Sequence, residues 1–160
     1  MSMRLLAYKG VTNKLLSVAH RRPPDRVVGD SQSPYLRRWF LVPQNKFLNI
    51  YLHHFLQSDD NGALHDHPWC NVSVLLRGTY AEHTDRSSGM PEVLREGSIK
   101  VRASGKHAHR VELVDGDCWT LFITGPKYRK WGFHCRSGWI PWNQYLAPSK
   151  SGKGNEGCSD

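Results

Sequence analysis

One stretch constrains the fold more than any other: two histidines one residue apart, followed by an apolar run that ends at a glycine. The histidines are His65 and His67, the run is residues 72–77, and the glycine is Gly78. Side chains alternate between the two faces of an extended strand, so the two imidazoles are expected to face the same way. A short apolar, β-branched run closed by glycine predicts a buried strand with a turn at its end. The stretch therefore predicts a pair of imidazoles able to grip one metal ion.

A second segment offers a third imidazole in a similar setting. Gly97 precedes a short strand, Gly105 lies in a turn, and His109 begins another strand in which Val111 and Leu113 share its face. We expect the two segments to close around one metal, with two histidines from the first and His109 from the second. Three neutral imidazoles suit zinc, and they also suit iron, nickel or copper.

Short strand-like segments separated by glycine, proline and polar turns occupy most of the chain. They are predicted at 35–42, 47–56, 71–77, 79–84, 92–95, 98–103, 109–114 and 118–124. Because only Gly78 separates two of them, 71–77 and 79–84 are predicted to form a hairpin. Many short strands with glycine turns predict an all-β barrel or sandwich.

The two ends of the chain differ from the middle. Residues 11–22 predict a short helix, capped by Thr12 or Asn13 and ended by Pro23, and residues 25–34 predict a loop. We therefore divide the chain into an N-terminal helix and loop (1–34), a barrel (35–146) and a disordered tail (147–160).

Composition argues against several classes of protein. No apolar run approaches the ~18 residues of a membrane span, and the N-terminal apolar run is too short for a secretory signal; we expect a cytoplasmic protein. The four cysteines show no CxxC pairing, so free thiols are expected rather than a disulfide framework or zinc ribbon. The net charge of +8 comes from dispersed basic residues, which favours a solvated surface over nucleic-acid binding.

The first histidine segment resembles the first motif of the cupin superfamily, G-x5-H-x-H-x(3,4)-E-x6-G. The match runs from His65 through His67 to Gly78 with every spacing kept. It departs from the motif at Asp59, where the leading glycine is missing, and at Asn71, which replaces the glutamate.

The second segment resembles the second cupin motif, G-x5-P-x-G-x2-H-x3-N. Gly97 and Gly105 stand at its glycines, and Ala103 replaces its proline. His109 lies one residue later than the motif requires and His107 one residue earlier; His109 is preferred because it starts a strand, as the family's histidine does. The histidine segment, taken with a late Trp-Gly-Phe, also resembles uncharacterised cupin-type proteins of bacteria and their phages.

This resemblance implies a double-stranded β-helix barrel, often dimeric, with a divalent metal inside its wider mouth. Carried over residue by residue, it gives His65, His67 and His109 as ligands, with Asn71 as a weak fourth. Fe(II) is the favoured metal, with Zn, Ni or Mn as alternatives. The candidate groups around the ligands and substrate are Trp69, Tyr80, Glu82 and His107.

Three functions remain open at this point. The first is a mononuclear Fe(II) dioxygenase for a small polar or anionic molecule, because three neutral ligands leave a +2 charge and open positions at the metal. The second is a non-catalytic module that binds a sugar or an anion through four tryptophans and three basic residues: Trp119, Trp131, Trp139 and Trp142 with Lys127, Arg129 and Lys130. The third is a metal-independent sugar epimerase or isomerase with His65 or His67 as its base.

Overall fold

The structure, a computed structural model, describes residues 3–59, 63–85, 89–148 and 157–158, with side chains from residue 7 onward. Its elements are α1 (Met3–Arg21), β1 (Arg26–Gly29), β2 (Pro34–Phe40), β3 (Asn49–Phe55), β4 (Leu64–His65), β5 (Asn71–Arg77), β6 (Thr79–Thr84), β7 (Glu92–Arg95), β8 (Ile99–Arg102), β9 (His109–Leu113), β10 (Cys118–Thr124), β11 (Gly132–Cys135), β12 (Gly138–Pro141) and α2 (Trp142–Tyr145). The prediction of an all-β protein with an N-terminal helix is confirmed.

Two antiparallel six-stranded sheets make up the barrel. Sheet one has the strand order β1-β2-β3-β10-β5-β8, and sheet two has the order β12-β11-β4-β9-β6-β7. Strands that are neighbours along the chain often lie in different sheets, so the chain crosses between the sheets repeatedly. Alternating apolar residues on each strand turn one face inward, and two such faces bury each other.

Apolar residues lie in two layers, one between the sheets and one outside sheet one. The inner cluster contains residues from both sheets: Leu75, Tyr80, Leu94, Val111 and Cys118. The outer cluster holds α1 against sheet one, because Leu15 and Leu16 of the helix pack against Trp39, Leu52 and Leu76. Complete burial of a leucine such as Leu52 stabilises the fold by about 1.5–3 kcal/mol.

The N-terminal region departs from the prediction in two ways. Helix α1 extends from Met3 to Arg21, so Thr12 and Asn13 lie inside it and cap nothing. The segment predicted as a loop, 25–34, contains β1, which pairs antiparallel with β2 at the edge of sheet one. Among the described residues no helix combines the length and apolar character that a membrane crossing requires.

The predicted hairpin of 71–77 with 79–84 is wrong. β5 pairs with β10 and β8, whereas β6 pairs with β9 and β7 in the other sheet. Gly78 makes the crossing possible: its φ is +92°, and a Cβ there would lie 2.6 Å from the Asp117 carbonyl oxygen. The local sequence specifies this sharp turn. It does not make a hairpin, because β10 and β8 occupy both edges of β5 and leave none for β6.

The expectation of four free thiols is also wrong. Cys135, at the end of β11, forms a disulfide with Cys158, while Cys70 and Cys118 are free. The Gly157 amide also donates to the Tyr145 carbonyl, so this short part of the predicted tail is attached to the barrel. The rest of that tail, 149–156 and 159–160, lies outside the described residues.

Candidate metal centre and its cavity

Three histidines converge from two places on sheet two. His65 ends β4, His67 lies two residues further on, and His109 starts β9 directly opposite His65. The ring centroids are 5.1 Å apart for His65–His67, 4.7 Å for His65–His109 and 5.0 Å for His67–His109. One ring nitrogen from each residue lies within 4.8 Å of the others. The strand predicted to carry both His65 and His67 ends at His65, yet the two rings still meet; we call these three residues the triad.

The outer nitrogens of two triad rings face carboxylates. His109 Nδ1 lies 2.7 Å from Glu82 Oε1, and His65 Nδ1 lies 3.5 Å from Asp59 Oδ2. A carboxylate at Nδ1 favours the tautomer that donates there and leaves a lone pair on Nε2. Histidines that ligate metals are held in this way by a carboxylate or carbonyl behind the ring. The donor set therefore fits a metal ion.

Burial keeps the imidazoles of His67 and His109 in the form that binds metal. It lowers the pKa of His67 well below its usual value, and the nearby His109, His65 and Arg102 lower that pKa further. Burial, followed by the charge of Arg102, lowers the pKa of His109 to about 4, although Glu82 opposes the shift. Neutral imidazole is the ligand form, so at neutral pH neither ring has to lose a proton to bind.

A buried arginine occupies the neighbourhood where the motif expects a glutamate ligand. Arg102, on β8 opposite Asn71, forms an ion pair with Glu82 and donates from Nη1 to Asn71 Oδ1 at 3.2 Å. The amide oxygen proposed as a weak ligand is therefore engaged by a cation. Burial raises the pKa of Glu82, but hydrogen bonding from His109 and the charge of Arg102 outweigh it and leave that pKa well below its usual range.

A cavity of about 430 Å³ lies between the sheets and contains all three triad residues in its wall. Its lining is largely aromatic and aliphatic, with contributions from Phe55, Trp69, Tyr80, Phe122, Trp131 and Trp142. The charged residues in the wall are Arg26, Arg38, Arg102 and Asp59. A mostly apolar cleft with a few convergent polar groups is the usual form of a small-molecule site.

Comparisons with known proteins bear on the fold. A putative mannose-6-phosphate isomerase from Ralstonia eutropha superposes with a TM-score of 0.51 at 20% identity, covering 64% of this chain and 92% of that one. The Fe(II) form of HppE gives 0.53 at 13% identity, covering 65% of this chain and 57% of that one. This chain has the double-stranded β-helix fold of the cupins.

Two further results complete the comparisons. A protein from Silicibacter pomeroyi, described as a sugar phosphate isomerase from a cupin superfamily, superposes on this barrel with a TM-score of 0.49 at 11% identity, covering 66% of this chain and 74% of that one. No family model and no curated protein sequence matches the chain.

Asp66 lies between two triad residues and fixes their loop from the side that faces away from the cavity. Its side chain is 1% exposed and accepts from the Gly132 amide at 2.8 Å and from Trp139 Nε1 at 3.1 Å. Arg129 Nη1 lies 2.9 Å from Asp66 and also donates to the His67 carbonyl at 3.0 Å. The alternation that turns the triad rings inward thus turns Asp66 outward into a network that holds their backbone.

Gly105 closes the other side of the same loop. The His67 amide donates to the Gly105 carbonyl at 2.9 Å, and Tyr128 Oη accepts from the Gly105 amide at 2.6 Å. A Cβ at position 105 would lie 2.3 Å from the His67 carbonyl oxygen. Only glycine lets the two backbone segments approach this closely, which gives a steric reason for a glycine at this position of the second motif.

The predicted groups around the triad divide into those that reach the cavity and those that do not. Tyr80 and Trp69 line it, and Glu82 contacts His109 from behind. His107 is exposed and is not part of the cavity wall. It lies two residues before β9, the strand that turns His109 inward. Sequence reasoning missed Arg102; its signal was a charged residue closing a short strand.

Proposed function

We propose that this protein is a mononuclear metal enzyme in which His65, His67 and His109 hold Fe(II), with O2 and a small anionic molecule as substrates. The observation that carries the proposal is the convergence of three imidazoles on one wall of a largely apolar cavity. Three protein ligands leave open positions at a metal, as catalytic sites require.

The choice of metal rests on the donor set. Three imidazoles without a carboxylate suit Fe, Zn, Ni or Cu better than Mg or Ca, which prefer oxygen ligands. Bound Fe(II) would supply the redox chemistry that activates O2. HppE, which shares this fold at 13% identity, is described as an Fe(II) protein, and this supports iron as the first metal to test.

Residues of this chain would position the metal and shape its surroundings. Glu82 orients His109 and compensates the charge of Arg102, so this buried pair adds no net charge beside the metal. Asp59 orients His65. Phe122 and Trp131 restrict water near the triad, because their rings lie 6.1 Å from His67 and 6.5 Å from His65, centroid to centroid. A dry site strengthens the electrostatic interactions that orient a charged substrate.

The decisive test is whether the reduced iron form has an open position for a diatomic gas. Untagged protein is loaded anaerobically with Fe(II), exposed to nitric oxide as an O2 surrogate, and examined by electron paramagnetic resonance. The proposal expects the spectrum of a high-spin iron–nitrosyl species at near-stoichiometric intensity, absent from His109→Ala and retained in the matched control His107→Ala.

The competing functions predict different results. A metal-independent isomerase or a sugar-binding module would give no protein-bound iron–nitrosyl signal and would be unaffected by chelation. Iron bound without any nitrosyl signal would also reject the oxygenase, because it would mean that no position is open.

A further inference from the structure

A line of polar residues crosses sheet one on the cavity wall. Arg26, Arg38, His53 and Thr120 lie opposite one another on the adjacent strands β1, β2, β3 and β10. All four line the same cavity as the triad, which belongs to the other sheet. We call these four residues the arginine row. Most of the cavity wall around the row is apolar, and a line of hydrogen-bond donors in such a wall indicates a binding site for a polar group.

The two arginines of the row lack the partners that other arginines near the site have. Arg102 forms an ion pair with Glu82, and Arg129 forms one with Asp66. Across the described residues, no carboxylate lies within ion-pair distance of Arg38 or Arg26. Like charges directly opposite each other on paired strands destabilise a sheet. Arg26 is exposed on the edge strand and is solvated, whereas Arg38 is largely removed from water, and a poorly solvated charge is normally paired. Arg38 therefore lacks a counter-ion.

Arg38 is held in one orientation rather than left free. Its Nε donates to His53 Nε2 at 2.8 Å, and its guanidinium carbon lies 4.9 Å from the centre of the Tyr51 ring. Burial, and after it the charge of Arg38, lowers the pKa of His53 well below its usual value, so His53 accepts as a neutral ring. A guanidinium fixed through Nε presents its two terminal nitrogens as a planar fork, which matches the oxygens of carboxylate and phosphate.

Further unsatisfied polar atoms lie in the same row. His53 Nδ1 and Thr120 Oγ1 are buried and have no hydrogen-bond partner. When Nε2 of a neutral imidazole accepts, Nδ1 carries the proton, so His53 Nδ1 is a buried donor without an acceptor. Leaving such a group unsatisfied costs about 1–3 kcal/mol. A ligand that enters beside the row and shifts these side chains slightly can offset that cost.

The row and the triad are close enough for one small molecule to reach both. The Phe122 ring neighbours both, with its centroid 5.0 Å from that of the His53 ring and 6.1 Å from that of the His67 ring. We propose that the arginine row binds the acidic group of the substrate, a carboxylate or a phosphate, while the rest of that molecule extends past Phe122 to the triad. The identity of the ligand as a substrate rests on the proposed function; the anion binding does not.

The test measures anion binding to chelator-treated, metal-free protein by titration calorimetry. The probes are benzoate and phenyl phosphate, which carry the two candidate acidic groups on an aromatic ring, and benzamide, a neutral analogue of benzoate. We expect one of the two anions to bind and benzamide to bind at least about tenfold more weakly, since hydrogen bonds to charged groups contribute about 1.5–3 kcal/mol. The anion that binds more tightly identifies the acidic group.

Variants of neighbouring arginines locate the site. Arg38→Gln is expected to weaken binding of the preferred anion at least about tenfold. Arg37→Gln is the matched control, because Arg37 is the next residue of β2 and points outward, exposed; it should bind the anion as the wild type does. Arg38→Lys keeps the charge but loses the planar fork, so it should bind between these limits, and it guards against a folding defect in the glutamine variant.

The outcomes separate this inference from the proposed function. Anion binding that is lost in Arg38→Gln and kept in His67→Ala supports the inference, even if the protein takes up no metal. The inference is overturned if neither anion binds the metal-free wild type, if benzamide binds equally well, or if Arg37→Gln and Arg38→Gln behave alike. It is also overturned if anions bind only the metal-loaded protein and Arg38→Gln has no effect, because the metal would then be the anion site.

Discussion

His67 Nε2 lies 2.8 Å from His109 Nε2, although 42 positions separate the two residues. With Glu82 at His109 Nδ1, the His109 Nε2 atom is an acceptor, so without a metal the His67 Nε2 atom donates its proton to it. A metal held by both nitrogens would take the place of this hydrogen bond. Metal loading is therefore expected to abolish the hydrogen bond without rearranging the barrel.

Glu82→Gln should weaken metal binding while leaving the ligands themselves unchanged. The glutamine keeps the size of the side chain but removes the negative charge that orients His109 and compensates Arg102. Loss of such an outer partner typically lowers metal affinity about 10- to 100-fold. Competition with a chelator measures the change. The control is Glu92→Gln, whose side chain is 60% exposed and pairs only with Lys100 among the described residues; equal losses in both variants would contradict the role of Glu82.

Asp66→Asn should destabilise the protein and loosen the loop that carries His67. The carboxylate is almost fully buried and lies 2.9 Å from Arg129, which is itself partly exposed. Breaking a buried pair by changing one partner costs about 3–5 kcal/mol. Because Arg129 is partly exposed and its charge is screened by solvent, we expect the free energy of unfolding to fall by about 2–3 kcal/mol. Urea denaturation measures it. Asp115→Asn, at an exposed turn, should change stability by less than about 0.5 kcal/mol.

Gly105→Ala should displace His67 and reduce metal binding. The new methyl group would meet the His67 carbonyl oxygen at 2.3 Å and the Trp69 carbonyl oxygen at 3.1 Å, and both belong to backbone that cannot yield cheaply. Metal uptake and thermal stability should both fall. Gly10→Ala in α1 is the control, because nothing lies within 4 Å of its added Cβ and alanine favours a helix by about 1 kcal/mol over glycine. Normal metal uptake in the Gly105 variant would refute this account of the loop.

The Cys135–Cys158 disulfide predicts a specific thiol count. Denatured, non-reduced protein should expose two reactive thiols, those of Cys70 and Cys118. Cys158→Ser should lower the unfolding free energy by about 2–4 kcal/mol, because the bridge closes a loop with a sequence separation of 23. Cys70→Ser should leave the bridge intact. Four reactive thiols in protein prepared without reductant would show that the bridge does not form.

The strands and the triad could be read from the sequence because both depend on local patterns. Strand-like runs bounded by glycine, proline and polar turns located β3, β5, β6 and β10, and the start of a strand at His109 favoured that residue over His107, where the motif spacing left both open. Which strand edges remain free is a property of the whole sheet, so the β5–β6 hairpin was predicted wrongly although its turn at Gly78 was right. Likewise β1 is an edge strand that pairs with β2, and this pairing cannot be read from its own residues.

The charges around the site were beyond sequence reasoning for a related reason. A buried arginine and an exposed one look alike in a sequence, so nothing distinguished Arg38 from the exposed Arg37, and Arg102 had only its position at the end of a short strand as a signal. Asn71 was assigned to the metal from the motif alone, whereas the register of β5 with β8 places Arg102 opposite it. The disulfide joins residues 23 positions apart, and spacing alone cannot select such a pair.

Metal content of untagged protein tests the central claim most directly. Protein loaded anaerobically with Fe(II), dialysed and measured by mass spectrometry should retain close to one iron per chain. His67→Ala and His109→Ala should each retain almost none, and His107→Ala, which alters an exposed histidine outside the cavity, should match the wild type. Wild-type protein without bound metal, or equal retention in all three variants, would contradict the claim that these imidazoles form a metal centre.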